Sequence, residues 1–316
     1  RIEPANGARL AGKPQLAELE KKIDENSKPL SFDVNSWRAI GKVDIERRAV
    51  EVKNVIAVLE GTGPLADETI VLGAHYDHLG RGGEGSAQPG SKEIHNGADD
   101  NASGVSALLE VARQLASREE PLPRRVVFIA FTGEEKGLLG SGEYVRNPLF
   151  PLDKTIAMLN FDMVGRLQDN KLIVNGTGTA ENFAQLVDEL NEKAGFELTK
   201  SPGGFGPSDH SSFYAKQIPV LHFFTGSHAE YHRPDDDFSL LNLSGMRRVD
   251  EFVAALAEKI AAAPERPKYV EVARNSQPSQ GPRDPRPYFG SIPDFAQQSG
   301  GYALSGVTPG SPAAEG

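Results

Sequence analysis

The chain contains no cysteine among its 316 residues. Disulfides and thiolate metal ligands are therefore excluded, which leaves His, Asp and Glu as the strong ligands. No apolar run approaches the roughly 18 residues that a membrane-spanning helix requires. Cationic clusters are also missing. With a net charge of −10 and a pI of about 5.3, the chain lacks the electrostatic footprint expected for nucleic acid or an anionic membrane. No internal repeat shows at any period from about 20 to 50 residues. No signal peptide opens the chain at Arg1, which reads as a processed or excised piece. What remains, 38% hydrophobic and 25% charged, is the composition of a soluble globular protein with one large core and a smaller appendage.

Periodicity lays out the elements. Lys13–Lys28 carries Leu16, Leu19 and Ile23 at helical spacing and predicts a short amphipathic helix. Between Ser31 and Gly61, alternation at Val43, Ile45, Val50 and Val52 followed by the run Val55–Leu59 predicts a hairpin feeding a central strand. Buried strands are predicted at Glu68–Gly73, Arg125–Phe131, Thr155–Val164, Lys171–Val174 and Pro219–Phe224. Helices are predicted at Ser103–Ala116, capped by Ser103, at Leu138–Val145, at Glu181–Ala194, stopped by Gly195, and at Ser239–Ala263. Strands alternating with helices argue for a layered α/β domain. Pro264–Pro287, dense in Pro, Arg, Gln and Ser, reads as a linker, and the piece beyond it is too short to enclose a core.

Chemistry concentrates where strands end. The strand Arg125–Phe131 runs through Thr132-Gly133 into Glu134 and Glu135. Successive side chains at a sheet rim point in different directions, so one carboxylate is available to a metal and its neighbour to a substrate water. A solvated Glu-Glu turn is the alternative. His75, Asp100, Glu135, Asp162 and His232 each lie at or just past the end of a predicted strand or in the loop after it, where open α/β sheets bind ligands. Two imidazoles and three carboxylates suit two zinc ions roughly 3.5 to 4 Å apart, one carboxylate bridging. Asp162 interrupts the apolar run LNFDMV, and a buried carboxylate requires a partner such as a cation. Asp77 and Asp236 stand two and four residues from His75 and His232, placed to accept each ring's second hydrogen. Asp209-His210, His78, His95, His222 and His228 are assigned structural or surface roles. The long Gly-rich loop Gly80–Gly97 is read as functional. Phe205 and Phe213 hint at an apolar pocket, with core packing favoured for Phe213.

In that order and spacing, the runs GAHYDH, GADDNASG, FTGEEKGLLGS, NFDMVG, PSDHSSF and YHRPDDD resemble the bimetallic zinc aminopeptidases related to bacterial secreted leucyl-type aminopeptidases. The resemblance covers about residues 33–263. It implies a three-layer α/β sandwich with a central mixed, mostly parallel sheet, as in zinc exopeptidases. It also implies two Zn2+ per chain, with His75 and Asp162 on one, Glu135 and His232 on the other, and Asp100 rather than Asp99 bridging. Glu134 would be the general base, Tyr231 a donor to the oxyanion, and the Asp100-Asn101 bond cis. The implied substrate is a peptide with a free N-terminus, and the implied setting is extracellular or periplasmic.

YFGSI and SGVTPGSPAAEG in the tail resemble the start of a PDZ domain, and Ala11–Pro29 resembles the exit from a protease-associated domain. The resulting division is 1–30, 31–263 as the catalytic unit, 264–287 as linker and 288–316 as a truncated PDZ-like start. Two competitors are weighed. Single-zinc glutaminyl cyclases lack the full bimetallic set, and the retained His75 speaks against them. A non-catalytic binding module of the same fold would have lost Glu134 or a ligand, and none is lost.

Overall fold

Val71 lies in register between Val127 and Met158, and these three fully buried residues mark the centre of the sheet. The structure, a computed structural model, describes residues 16–26, 50–83, 85–88, 90–272, 291–293 and 304–307. Arg1–Val50 and Glu51–Gly316 form two compact units. In the first, α1 (Leu16–Asn26) matches the predicted amphipathic helix, and its Ile23 is exposed. Residues 31–49 of the predicted hairpin lie outside the described residues, as does most of the segment read as a domain exit.

The second unit holds β1 (Val55–Leu59), β2 (Thr69–His75), β3 (Arg125–Phe131), β4 (Thr155–Phe161), β5 (Lys171–Asn175), β6 (Glu197–Ser201) and β7 (Val220–Phe224). They form one seven-stranded sheet in the order β1-β3-β2-β4-β7-β5-β6. Pairing is parallel except at β1–β3 and β5–β7, which gives the expected mixed, mostly parallel sheet. Every residue of β2 and β4 is buried, as strands covered on both faces must be.

Alternation along the strands divides the core in two. Ile70, Leu72, Val126 and Phe128 face α2 (Gly104–Ala116), α4 (Phe183–Ala194) and α6 (Leu243–Ala262), whose Leu108, Val187 and Val253 belong to the same cluster. On the other face, Val127, Ile129 and Phe131 meet Tyr144 of α3 (Leu139–Arg146) and Phe213 of α5 (His210–Tyr214). The result is three layers, each buried aliphatic or aromatic side chain contributing about 1.5–3 kcal/mol. From β2 the chain crosses to β3 on one side, whereas β4 on its other side leads away to β5. The crevice between the ends of β2 and β4 is therefore the point where open sheets of this kind take ligands.

Several expectations are corrected. The last helix begins at Leu243, capped by Asn242 Oδ1, which accepts from Gly245 N at 2.9 Å. The Ser103 hydroxyl does not cap α2. It donates back to the Asp99 carbonyl (2.7 Å) and to Asp99 Oδ1 (2.9 Å), because Ser103 already has helical backbone angles. The first part of the predicted linker lies on the body, with Arg266 bound to Glu68 Oε1 (2.8 Å) and Val270 N to the Thr179 carbonyl (2.8 Å). Residues 273–287 lie outside the described residues. In the tail, β8 (Ser291–Pro293) pairs antiparallel with β9 (Leu304–Val307), and the remainder of the stretch expected to begin a PDZ domain is likewise outside them. Among the described residues no helix is long and apolar enough to cross a membrane.

Candidate metal centre

His75 is the last residue of β2, Asp162 follows β4 directly, and Glu134 and Glu135 form the turn just beyond β3. Asp100 sits in the turn Ala98–Ser103 that opens α2, and His232 lies in the loop after β7. Parallel strands ending together thus bring all five predicted ligands to one rim. Two of the backbone positions are costly: Met163, beside Asp162, and His232 both have positive φ, 54° and 57°. The Asp100-Asn101 bond is cis, as the resemblance implied. Asn101 ties this turn to β4, its Nδ2 donating to the Phe161 carbonyl (3.0 Å) while Oδ1 accepts from Met163 N (3.2 Å).

The separations suit ligands arranged around metal ions. His75 Nε2 stands 3.3 Å from Asp100 Oδ1 and 3.5 Å from Asp162 Oδ1. His232 Nε2 stands 3.2 Å from Asp100 Oδ2 and 3.3 Å from Glu135 Oε2. Four donors held tetrahedrally at roughly 2.1 Å from a zinc ion are about 3.4 Å from one another. Asp100 offers one oxygen to each group, the arrangement a bridging carboxylate needs. The donors are nitrogen and oxygen only, and they fit zinc.

The supports differ from those expected. Asp77 is next to His75, but its backbone carbonyl takes the ring hydrogen bond, at 3.1 Å from Nδ1, while Oδ1 is at 3.8 Å. The Asp77 carboxylate instead accepts from Glu134 N (3.1 Å) and Glu135 N (3.3 Å), clamping the turn that presents both acids. Asp236 does not support His232. Its Oδ2 accepts from Asp99 N (2.8 Å) and Asp100 N (3.0 Å), because the turn at 233–236 folds it back beneath Asp100. The His232 Nδ1–H donates to the Gly85 carbonyl at 2.7 Å. His78, read from sequence as structural, lies inside the centre, Nδ1 2.7 Å from Glu135 Oε1 and 3.9 Å from Asp100 Oδ2. Its position three residues after His75 in HYDH was the available signal. His228 is also closer than expected, Nε2 3.2 Å from Asp99 Oδ2.

A profile of Peptidase family M28 matches residues 54–257, more than half of the chain. The chain belongs to this family. It is 28% identical over 229 residues to Aminopeptidase YwaD of Bacillus subtilis, covering 69% of this chain and 47% of that protein. Leucine aminopeptidase 2 of Trichophyton rubrum is 28% identical over 295 residues, 81% of this chain and 54% of the relative. The chain thus spans about half the length of these curated relatives. Among solved structures, BSAP, a zinc aminopeptidase from Bacillus subtilis, superposes with a TM-score of 0.55 at 29% identity, over 66% of this chain and 50% of that one. Porphyromonas gingivalis glutaminyl cyclase, at 24% identity and a TM-score of 0.55 over 65% and 77%, shares the fold.

Within the M28 chain the centre is strongly polarised. Burial works against charge on His75, but Asp162 and Asp100 outweigh it and hold its pKa well above the usual imidazole range. His232 is raised to about 10, burial again being outweighed by Asp100 and Glu135. On the acid side, burial opposes charge on Asp100 and Glu135, yet the imidazoles win. Asp100 is held well below the carboxylate range and Glu135 at about 2. A cluster that holds its acids ionised and draws protons onto its imidazoles is one that attracts cations. Glu134 behaves oppositely: burial first, then Asp162, Asp209 and Glu135, push its carboxyl up to about 9 despite the opposing charge of His75. Among the carboxyls that are shifted here, it is the one raised furthest.

A cavity of about 270 Å3 opens on the centre, with His75, Asp100, Glu134 and His232 at one end. Met163, Pro207, His222 and Phe224 line the rest. Phe213 packs in the core as favoured, fully buried against Phe131 and Tyr144, whereas Phe205, the other residue that hinted at a pocket, packs edge-on against Tyr214 and does not line this cavity. Tyr231 borders the cavity, its ring stacked on that of His232 at 3.8 Å, and burial with the nearby carboxylates raises its pKa, keeping the phenol a donor.

Proposed function

We propose that the chain is the catalytic unit of a zinc-dependent aminopeptidase that removes the N-terminal residue of a peptide. The carrying observation is the sharing of Asp100, one oxygen in each of two imidazole–carboxylate sets whose donor separations suit tetrahedral zinc. In this reading His75, Asp162 and Asp100 hold one ion, and His232, Glu135 and Asp100 hold the other. Bound there, the two zincs would supply Lewis-acid polarisation of the scissile carbonyl and of the attacking water.

The chain's own groups do the rest. Glu134 takes the proton released as water adds to the carbonyl and returns it to the amine as the peptide bond breaks. Burial and the neighbouring carboxylates raise its affinity for the proton it takes in the first half of that transfer. Tyr231, at the cavity edge, donates to the oxygen that gains charge. The surplus of carboxylates beside the cavity suits a free α-ammonium group, and the Met163, Pro207 and Phe224 walls suit an apolar first side chain. The test is release of aminoacyl-nitroanilides by zinc-loaded protein, with N-acetylated substrates as the control. Cleavage of free-amine substrates alone is expected, and equal cleavage of blocked ones would overturn the exopeptidase reading.

A further inference from the structure

We propose that His78 is a positioning residue for Glu135: its Nδ1–H donates to Oε1 and leaves Oε2 as the single oxygen turned toward the ion that His232 shares. The inference rests on the two-zinc reading and concerns which side chains touch the metal and which only orient the ligands.

Distance separates the two roles. The four ligand-like contacts of the centre run from 3.2 to 3.5 Å. His78 Nδ1 is 2.7 Å from Glu135 Oε1. Two donors that close would subtend an angle of roughly 80° at a zinc with bonds of about 2.1 Å, far from the tetrahedral angle. The same 2.7 Å is an ordinary length for an N–H bound to a carboxylate, about 2.7–2.9 Å. At 3.9 Å, Asp100 Oδ2 is beyond hydrogen-bond reach of that nitrogen, so the bond is committed to Glu135. Glu135 Oε2, by contrast, keeps the 3.3 Å spacing to His232 Nε2.

The ring is also well seated. It packs edge-on to the His232 ring, centroids 5.8 Å apart at 72°. It also abuts Gly97, at φ +61°, where a Cβ would come within 2.7 Å of His78 Cδ2 and 2.8 Å of Cγ. The absent side chain at 97 therefore makes room for the imidazole. Together with the Asp77 carboxylate on the Glu135 backbone N–H, the His78 bond fixes the carboxylate from a second direction. Groups that orient metal ligands in this way typically change metal affinity about 10- to 100-fold.

The experiment compares the wild-type chain with His78→Ala and His78→Asn, whose amide nitrogen takes the place of Nδ1. Zinc bound per chain is measured across a chelator-buffered series of free zinc. For wild type, two equivalents are expected. In His78→Ala, one step should move to about 10- to 100-fold higher free zinc while the other stays in place, and His78→Asn should recover most of the shift. An unmoved His78→Ala titration, or a His78→Asn as weak as Ala, would overturn the proposal. Failure of the underlying reading looks different. Wild type would then bind one equivalent or none: a single step still reports on His78 by moving or staying, and no binding at all refutes both.

Discussion

The carboxylate of Asp236 accepts a hydrogen bond from the backbone N–H of Asp100 at 3.0 Å, and its second bond goes to the neighbouring Asp99 N–H. A fully buried side chain thus sets the height of the residue that both halves of the centre share. Asp236→Ala would leave two buried donors without an acceptor, a cost of about 2–4 kcal/mol. Denaturant melts should show that loss, and zinc retention should fall at both positions rather than one.

Glu134→Gln keeps the shape of the acid and removes its ability to carry a proton. Turnover of an aminoacyl-nitroanilide should drop by at least about 100-fold. Zinc content should be unchanged, because no ligand is lost. Retained turnover would take Glu134 out of the mechanism.

Ligand removals should be unequal. His75→Ala and His232→Ala are each expected to cost one zinc equivalent after dialysis, whereas Asp100→Ala is expected to cost both. Elemental analysis of the three variants reads this directly, and equal losses from all three would contradict a bridging Asp100.

Asp250, on α6, is a stability sensor away from the centre. Burial pushes its carboxyl up to about 7, with Glu110 and Glu251 acting in the same direction, and Oδ1 has no hydrogen-bond partner. Because the folded-state pKa lies above the unfolded value, folding favours the protonated acid. Its contribution is therefore lost as pH rises from about 4 through 7, and the ionised group costs stability above that. Asp250→Asn should be more stable than wild type by about 1–2 kcal/mol at pH 8, allowing for solvent screening, with the gap closing toward pH 4. Chemical denaturation across that range checks the sign.

Gly104 opens α2, where alanine would ordinarily gain about 1 kcal/mol. Here a Cβ would run into Asn101 Oδ1 and stand 2.7 Å from the Phe161 carbonyl. The clash should outweigh propensity and destabilise Gly104→Ala by roughly 1–3 kcal/mol. A rise in melting temperature would contradict the crowding at this turn.

The strands β2, β3 and β4 were legible because they are covered on both faces and so read as solid apolar runs. β6, ELTKS, was not: a partly exposed edge strand has no such run to show. The five clustered candidates could be found because strand ends converge by topology, although only the resemblance singled out Asp100 from Asp99. Their supports could not, since the direction of a side chain after a turn depends on the turn. Asp236 is four residues from His232 in sequence yet points at Asp100, and only the 2.7 Å between His78 and Glu135 sets that ring apart from a surface histidine.

The imidazole of His232 is oriented by the carbonyl of Gly85, and the backbone of Ala87 returns a hydrogen bond to the His232 carbonyl. A main-chain oxygen survives any replacement of the side chain beside it. For the grip on His232, then, spelling in this loop matters less than arc length, except at glycines such as Gly85 and Gly97, whose positive φ the path itself requires. Point changes that preserve the backbone path should pass unnoticed, while a single insertion or deletion would swing a distant ring out of place.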